Sequence, residues 1–253
     1  MTLPAAILFD MDDTLISAYS QPEKAWQAIA HEFADALHPI PPAIVAEAVN
    51  KVSDAFWSDA ERHRWGRLQL TDARGTIVRE AFDDLARDGH ARPDPALHAV
   101  LATRYGSYRE ETMYLFDGAH EVVDWFRAQG VRLALITNGT SAAQRAKIVR
   151  FELEHRFDHI QIEGEVGFGK PEERAYHHAL AAIGAQPDET WMVGDNLEWE
   201  VIAPQRLGIH AIWHDALGRG LPPDSPARPD RIIRSLAELL PDHAVAEAFR
   251  TGS

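Results

Sequence analysis

Short apolar runs alternate with helical patterns over the second half of the chain. Three runs end abruptly in polar residues or glycine, as buried parallel strands do at their carboxyl ends: residues 5–9, 133–136 and 190–193. Three weaker runs also predict strands: residues 159–162, 211–213 and 231–233. Apolar residues at helical spacing predict four intervening helices, over about 119–129, 141–152, 172–183 and 197–207. This alternation predicts an α/β fold with a Rossmann-like parallel sheet covered by helices.

The stretch between the first and second strands is too long to be a single crossover. Residues 15–116 separate them, whereas a parallel crossover needs only a dozen or more residues. Apolar residues recur there at helical spacing, for example at Val45, Val49 and Val52. We therefore predict an inserted helical bundle of about four helices. The predicted division is a catalytic core of residues 1–16 plus 116–253 and a helical cap of residues 17–115.

Composition and charge exclude several classes of protein. The 253 residues hold 25 Lys and Arg against 39 Asp and Glu, a net charge of −14, so binding to nucleic acid or an anionic membrane surface is disfavoured. The absence of cysteine excludes disulfides, thiolate metal sites and a cysteine nucleophile. No apolar run approaches the roughly 18 residues of a membrane span. We expect a cytoplasmic protein that binds neither nucleic acid nor a membrane.

Polar residues with side-chain oxygens stand at the ends of the three strongest strands. Asp10 and Asp12 follow the first, Thr137 and Asn138 end the second, and Asp195 follows the third. Functional groups collect at the carboxyl ends of parallel strands, so these residues are expected to converge. Carboxylates held together repel one another, and Mg²⁺, which accepts carboxylate and phosphate oxygens, is the usual remedy. With a lysine ammonium and a threonine hydroxyl added, the set indicates phosphoryl transfer.

Four short motifs in this order resemble those of the haloacid dehalogenase-like (HAD) hydrolases, in the subclass with a helical cap inserted after the first motif. The motifs are Asp10-Met11-Asp12-Asp13-Thr14, Thr137-Asn138-Gly139, Lys170-Pro171 and Gly194-Asp195. Each motif is weak alone, but their order, their positions at strand ends and the cap-sized insertion make the set specific. The resemblance extends from residue 7 to about residue 240.

The resemblance implies a role for each matched residue. Asp10 is the expected nucleophile, which forms an aspartyl-phosphate, and Asp12 is the expected general acid and base. Thr137 and Lys170 are expected to bind the phosphoryl oxygens, with help from Asn138.

The resemblance also implies a Mg²⁺ site. The expected ligands are a carboxylate oxygen of Asp10, the backbone carbonyl of Asp12 and the carboxylate of Asp195. The family commonly has Asp five residues after the fourth motif's Asp, but this chain has Glu200. The extra methylene leaves two alternatives: Glu200 contacts the metal, directly or through water, or it pairs with Lys170.

The expected function is therefore a magnesium-dependent phosphatase that hydrolyses a small phosphorylated metabolite. A phosphomutase stays open as an alternative, as does a silent phosphate-binding module that kept the site. A haloacid dehalogenase is disfavoured because its first motif lacks the second aspartate, here Asp12. A phosphonatase would need a cap lysine, and only Lys24 and Lys51 are available. The sequence leaves the substrate open, and it leaves the oligomeric state open too, a homodimer included.

Overall fold

The computed structural model describes residues 3–19 and 21–241. The chain forms two compact units. Residues 18–113 make up one of them, which we call the inserted unit, and the residues on both sides of it make up the core unit. The inserted unit is helical, whereas the core unit is built around a sheet.

Eight strands are present in the described residues: Ala6–Phe9 (β1), Ile16–Ser17 (β2), Tyr114–Leu115 (β3), Arg132–Thr137 (β4), His159–Ile162 (β5), Thr190–Gly194 (β6), His210–His214 (β7) and Arg231–Ile233 (β8). Six of them form one sheet in the order β5-β4-β1-β6-β7-β8, and every pairing in it is parallel. All six predicted strands are found, so the predicted α/β fold with a parallel sheet is confirmed. The four residues of β1 are fully buried, as expected for a central strand covered on both faces.

Eleven α-helices are present in the described residues, the first six in the inserted unit: Pro22–Glu32 (α1), Ala34–Leu37 (α2), Pro42–Ser58 (α3), Ala60–Gly66 (α4), Leu70–Arg87 (α5), Pro95–Thr112 (α6), Ala119–Ala128 (α7), Ser141–Arg150 (α8), Glu163–Val166 (α9), Glu173–Ile183 (α10) and Ala203–Arg206 (α11). The helix predicted over 197–207 is different in kind, because Leu197–Ile202 is π-helical and only α11 is α-helical. A π-helical turn widens the backbone helix, and such turns are frequent at functional sites.

The inserted unit has its own hydrophobic core. Four long helices, α1, α3, α5 and α6, bury apolar residues at helical spacing, among them Ile29, Val49, Phe56 and Val78. They correspond to the predicted bundle of about four helices, and α2 and α4 are short additions that the pattern did not predict.

A two-stranded antiparallel ribbon joins the two ends of the insertion within the core unit. In this ribbon β2 pairs with β3, so that Ile16 faces Leu115 and Ser17 faces Tyr114. The backbone N–H of Phe116 extends the pairing by donating to the carbonyl of Leu15 at 2.9 Å. The chain therefore leaves and re-enters the core unit at the same place.

No helix within residues 3–19 and 21–241 combines the length and the apolar character needed to cross a membrane.

Candidate active site

Three neighbouring strands deliver the predicted site residues to one edge of the sheet. Asp10 follows β1, Thr137 is the last residue of β4, and Asp195 follows β6. Because β4 and β6 flank β1 in a parallel arrangement, all three residues lie at the carboxyl edge. The backbone N–H of Asp10 donates to the carbonyl of Val193 at 2.9 Å, which fixes the point where β1 ends.

Asp10 lies at the centre of a buried polar cluster. The ammonium nitrogen of Lys170 contacts its Oδ1 at 2.5 Å, and the Thr14 hydroxyl donates to its Oδ2 at 2.9 Å. The same ammonium is 2.8 Å from Oε1 of Glu200. Lys170 is 0% exposed, so its charge is shared between two buried carboxylates and is not screened by bulk water. The structure thus brings Lys170, from the third motif, onto Asp10, from the first.

Burial and like charges perturb the carboxyl groups of this cluster. Burial raises the pKa of Asp10, and the charge of Lys170 opposes that rise. Burial, reinforced by the charges of Glu200 and Asp10, raises the pKa of Asp195 well above its usual value. Burial also disfavours the ammonium of Lys170, but Asp10 and Glu200 outweigh it and raise the pKa of Lys170. The cluster therefore holds one firmly charged cation among carboxylates that lack enough positive charge.

Glu200 is positioned by the π-helical stretch and by a glycine. Its Oε2 accepts a hydrogen bond from the backbone N–H of Asn196 at 2.7 Å, and its Oε1 faces Lys170. A Cβ at Gly194 would lie 2.0 Å from Cγ of Glu200, so only glycine fits there. Of the two alternatives for Glu200, the geometry shows the pairing with Lys170. A metal contact of Glu200 stays a prediction.

Asp12 is held by two residues of α8 that the sequence interpretation did not single out as functional. The ammonium nitrogen of Lys147 is 2.7 Å from both carboxylate oxygens of Asp12. The side-chain amide of Gln144 donates to Oδ2 of Asp12 at 3.0 Å and also to the Thr137 hydroxyl oxygen. Because Thr137 accepts that hydrogen bond, its own hydroxyl proton is available for another acceptor. Gln144 and Lys147 lie one helical turn apart, on the same face of α8.

The side chain of Asn138 hydrogen-bonds the backbone of Lys170. Its Oδ1 accepts from the Lys170 N–H at 2.9 Å, and its Nδ2 donates to the Lys170 carbonyl at 2.7 Å. Gly169 leaves room for this contact, since a Cβ there would lie 2.5 Å from Asn138 Oδ1. A buried carboxylate, Glu163, accepts from the backbone N–H of Gly139 at 3.1 Å. Both contacts fix loops at the carboxyl edge, and a phosphate contact of Asn138 stays a prediction.

The donor set is compatible with a hard divalent cation. Asp10 and Asp195 are carboxylates whose pKa values burial and neighbouring charges raise, which is the imbalance that a bound cation corrects. Within the described residues no group of three or more His, Asp or Glu side chains is arranged to hold a metal ion. Two carboxylates and a backbone carbonyl meet the needs of Mg²⁺, which retains several waters and takes few protein ligands.

Comparisons with known proteins place this geometry in context. A family model described as haloacid dehalogenase-like hydrolase matches residues 4–208. The phosphoserine phosphatase of Thermus thermophilus is 34% identical over 197 residues, which are 77% of this chain and 76% of that protein. The ribulose-1,5-bisphosphate 5-phosphatase of Halopiger xanaduensis is 27% identical over 248 residues, 96% of this chain and 95% of that protein.

Solved structures share the fold over almost the whole chain. The HAD-hydrolase YfnB of Bacillus subtilis, solved bound to magnesium, is 24% identical with a TM-score of 0.67, and the match covers 94% of this chain and 97% of that one. At this level of identity the likeness establishes the fold.

Proposed function

Because the chain belongs to the haloacid dehalogenase-like hydrolases and is a phosphatase of that family, we propose that it hydrolyses a small phosphorylated metabolite through an aspartyl-phosphate on Asp10. The observation that supports this most is the contact between Asp10 and Lys170 at 2.5 Å at the end of β1. This contact supports the proposal because a carboxylate that attacks phosphorus needs a nearby cation to stabilise the phosphoryl oxygens. The relatives named above are phosphatases whose names specify small phosphorylated substrates.

In the first half of the reaction, a carboxylate oxygen of Asp10 attacks phosphorus. The Asp10–phosphorus bond forms while the bond from phosphorus to the ester oxygen breaks. Asp12 transfers a proton to that leaving oxygen, which departs as an alcohol. Lys147 and Gln144 keep the carboxyl group of Asp12 in place, since they contact it from one face of α8.

In the second half, water attacks the phosphorus of the aspartyl-phosphate. Asp12, now a carboxylate, takes the proton from that water, and the Asp10–phosphorus bond breaks to release inorganic phosphate. Lys170 and the Thr137 hydroxyl bind phosphoryl oxygens through both halves. The Asp10 carboxylate returns to its contact with Lys170.

Mg²⁺ is the proposed cofactor, held by Asp10, Asp195 and the backbone carbonyl of Asp12. When bound it neutralises charge on the phosphoryl oxygens and on the two carboxylates. Glu200 contributes indirectly, because it orients the Lys170 ammonium at 2.8 Å.

The variant Asp10→Asn tests the proposal directly. We expect it to lose turnover of 4-nitrophenyl phosphate, assayed with and without Mg²⁺, while its circular dichroism stays that of the parent. Acid-quenched parent enzyme incubated with labelled substrate is expected to carry hydroxylamine-sensitive label, which Asp10→Asn lacks. The exposed Asp188→Asn is the matched control.

Turnover by Asp10→Asn at the parent rate would refute the assignment of the nucleophile. Release of inorganic phosphate, as opposed to an isomerised sugar phosphate, separates the phosphatase from a phosphomutase. Loss of activity on chelation of Mg²⁺, restored by added Mg²⁺, is the expected outcome for the cofactor.

A further inference from the structure

A tryptophan of β7 contacts the backbone of a proposed Mg²⁺ ligand. The indole Nε1–H of Trp213 donates a hydrogen bond to the backbone carbonyl oxygen of Asp195 at 2.6 Å. In the sheet Trp213 is in register with Gly194, the last residue of β6. Its side chain therefore reaches the first residue beyond the end of that strand. Trp213 lies outside the four motifs, so neither the motifs nor their order assigns it a role.

Close packing fixes the indole of Trp213. The side chain is buried, and its neighbours in a small apolar cluster come from β7, the π-helical stretch and the loop before β8: Ala211, Val201 and Ala227. Protein interiors are packed as densely as organic crystals, so a ring enclosed in this way keeps one orientation. The direction in which the indole N–H points is therefore set by the core unit itself.

The same peptide group is also held at its other end. The carbonyl of Asp195 and the N–H of Asn196 belong to a single planar peptide unit. Trp213 donates to the carbonyl, and Oε2 of Glu200 accepts from the N–H at 2.7 Å. Rotation of this peptide plane would break both hydrogen bonds. Two buried side chains from different elements thus fix the peptide that follows Asp195.

This double contact restricts the direction of the Asp195 side chain. The residue before Asp195 is Gly194, which is part of β6, and the peptide after it is fixed by Trp213 and Glu200. The Cα atom of Asp195 therefore lies between a strand and an immobilised peptide, and its Cα–Cβ bond has little freedom to reorient. Residues that support a metal ligand in this way affect affinity because they hold the ligand in its binding geometry.

We propose that Trp213 is a positioning residue for Mg²⁺ binding, which acts by fixing the backbone of Asp195. The inference rests on the proposed function, since Asp195 is a ligand only if that site binds Mg²⁺. Mg²⁺ demands near-ideal octahedral geometry, so a small displacement of a carboxylate lowers affinity more than it would for a more tolerant cation. The hydrogen bond of Trp213 supplies that precision without contact to the cation.

Two replacements at position 213 test the role of the indole N–H. Trp213→Phe removes the donor and shortens the ring, whereas β-(3-benzothienyl)alanine at this position keeps the ring size and has sulfur in place of the N–H. The Kd for Mg²⁺ is measured without substrate, from the rise of Tm with Mg²⁺ concentration. Each replacement is expected to raise this Kd about tenfold. Trp191→Phe is the matched control and keeps the parent Kd, because Trp191 is also buried but packs on Phe126.

A spectroscopic signal follows the same contact directly. The chain has seven tryptophans, and the indole ¹H–¹⁵N signal missing from the spectrum of Trp213→Phe identifies Trp213. Mg²⁺ is expected to shift this signal in the parent protein with the Kd obtained from Tm, because the indole bonds the residue proposed to bind the cation. A signal that stays in place at saturating Mg²⁺ would contradict the proposal.

The outcomes separate positioning from a purely structural role. If Trp213 only stabilises the fold, both replacements lower Tm and leave the Kd for Mg²⁺ unchanged, which overturns the inference. A raised Kd in Trp213→Phe alone would trace the effect to ring volume and would overturn it too. A parent protein that binds no Mg²⁺ refutes the proposed cofactor as well, whereas Mg²⁺ binding that is insensitive to position 213 refutes this inference alone. None of these measurements depends on turnover.

Discussion

The two units treat buried positive charge in opposite ways. In the core unit Lys170 and Lys147 each contact a carboxylate within 2.8 Å, so both buried ammonium groups have a counter-charge. In the inserted unit Arg109 is buried without an acid among the described residues. The difference shows that burial alone does not dictate an ion pair in this chain. The two paired lysines contact residues proposed for the reaction, and such groups must be held in place before the substrate arrives.

The largest expected effect comes from removing a matched cation. Lys170→Met leaves Asp10 and Glu200 buried without their shared counter-charge, which should lower the free energy of unfolding by about 3–5 kcal/mol. It should also reduce kcat/KM by about 10²–10³-fold, since a donor to the phosphoryl oxygens is lost. Urea denaturation and steady-state kinetics measure the two effects.

Two further variants test whether these losses are specific to Lys170. The exposed Lys51→Met of the inserted unit controls for the loss of a lysine. Equal stability losses for Lys170→Met and Arg109→Met would break the contrast between the units, because only Lys170 contacts carboxylates.

A smaller effect is expected from Lys147→Met, which removes the cation that contacts Asp12. If Lys147 positions the general acid, esters of poorly acidic alcohols need it most, because their leaving oxygen depends on protonation. We expect a loss of about 10–100-fold in kcat/KM for ethyl phosphate and a much smaller loss for 4-nitrophenyl phosphate. Equal losses for both esters would identify Lys147 as a structural residue.

The smallest expected effects come from replacing two glycines, Gly194 and Gly106, with alanine. Each glycine leaves space that a neighbouring charged side chain occupies, Glu200 at Gly194 and Arg74 at Gly106. Gly194→Ala places a methyl group against Cγ of Glu200, whose Oε2 accepts from the Asn196 N–H and whose Oε1 is ion-paired with Lys170. The substitution should cost about 1–3 kcal/mol of stability. Gly106→Ala meets only the far end of the Arg74 side chain and gains helix propensity, so its net effect should stay within about 1 kcal/mol. Thermal unfolding of both variants measures this difference.

The sequence predicted the sheet well because buried parallel strands leave a strong local pattern. Each of the six strands was identified from an apolar run, and the polar residues that follow β1, β4 and β6 located the site edge. The family resemblance based on four motifs is confirmed by the match over residues 4–208. The π-helical stretch Leu197–Ile202 could not be predicted, since it has the apolar spacing of an ordinary helix.

The parts of the site that were missed depend on contacts distant in sequence. Lys147 and Gln144 are 135 and 132 residues from Asp12, and their spacing of three on a helix is unremarkable by itself. A usable signal was present, because Lys147 is one of only four lysines among 25 basic residues. The contact between Glu200 and Lys170 was one of two alternatives, and the distance of 2.8 Å between the two side chains shows it, while a metal contact of Glu200 stays a prediction.

The ribbon of β2 and β3 has a consequence for how such a chain can diversify. Since Ser17 and Tyr114 face each other in register, residues 18–113 are topologically the loop of a hairpin. The entropy cost of closing a loop grows only slowly with its length, so such a loop can be replaced, lengthened or exchanged with little cost to the sheet. A lineage can therefore keep the residues at the carboxyl edge of the sheet unchanged while residues 18–113 are rewritten as a single insertion.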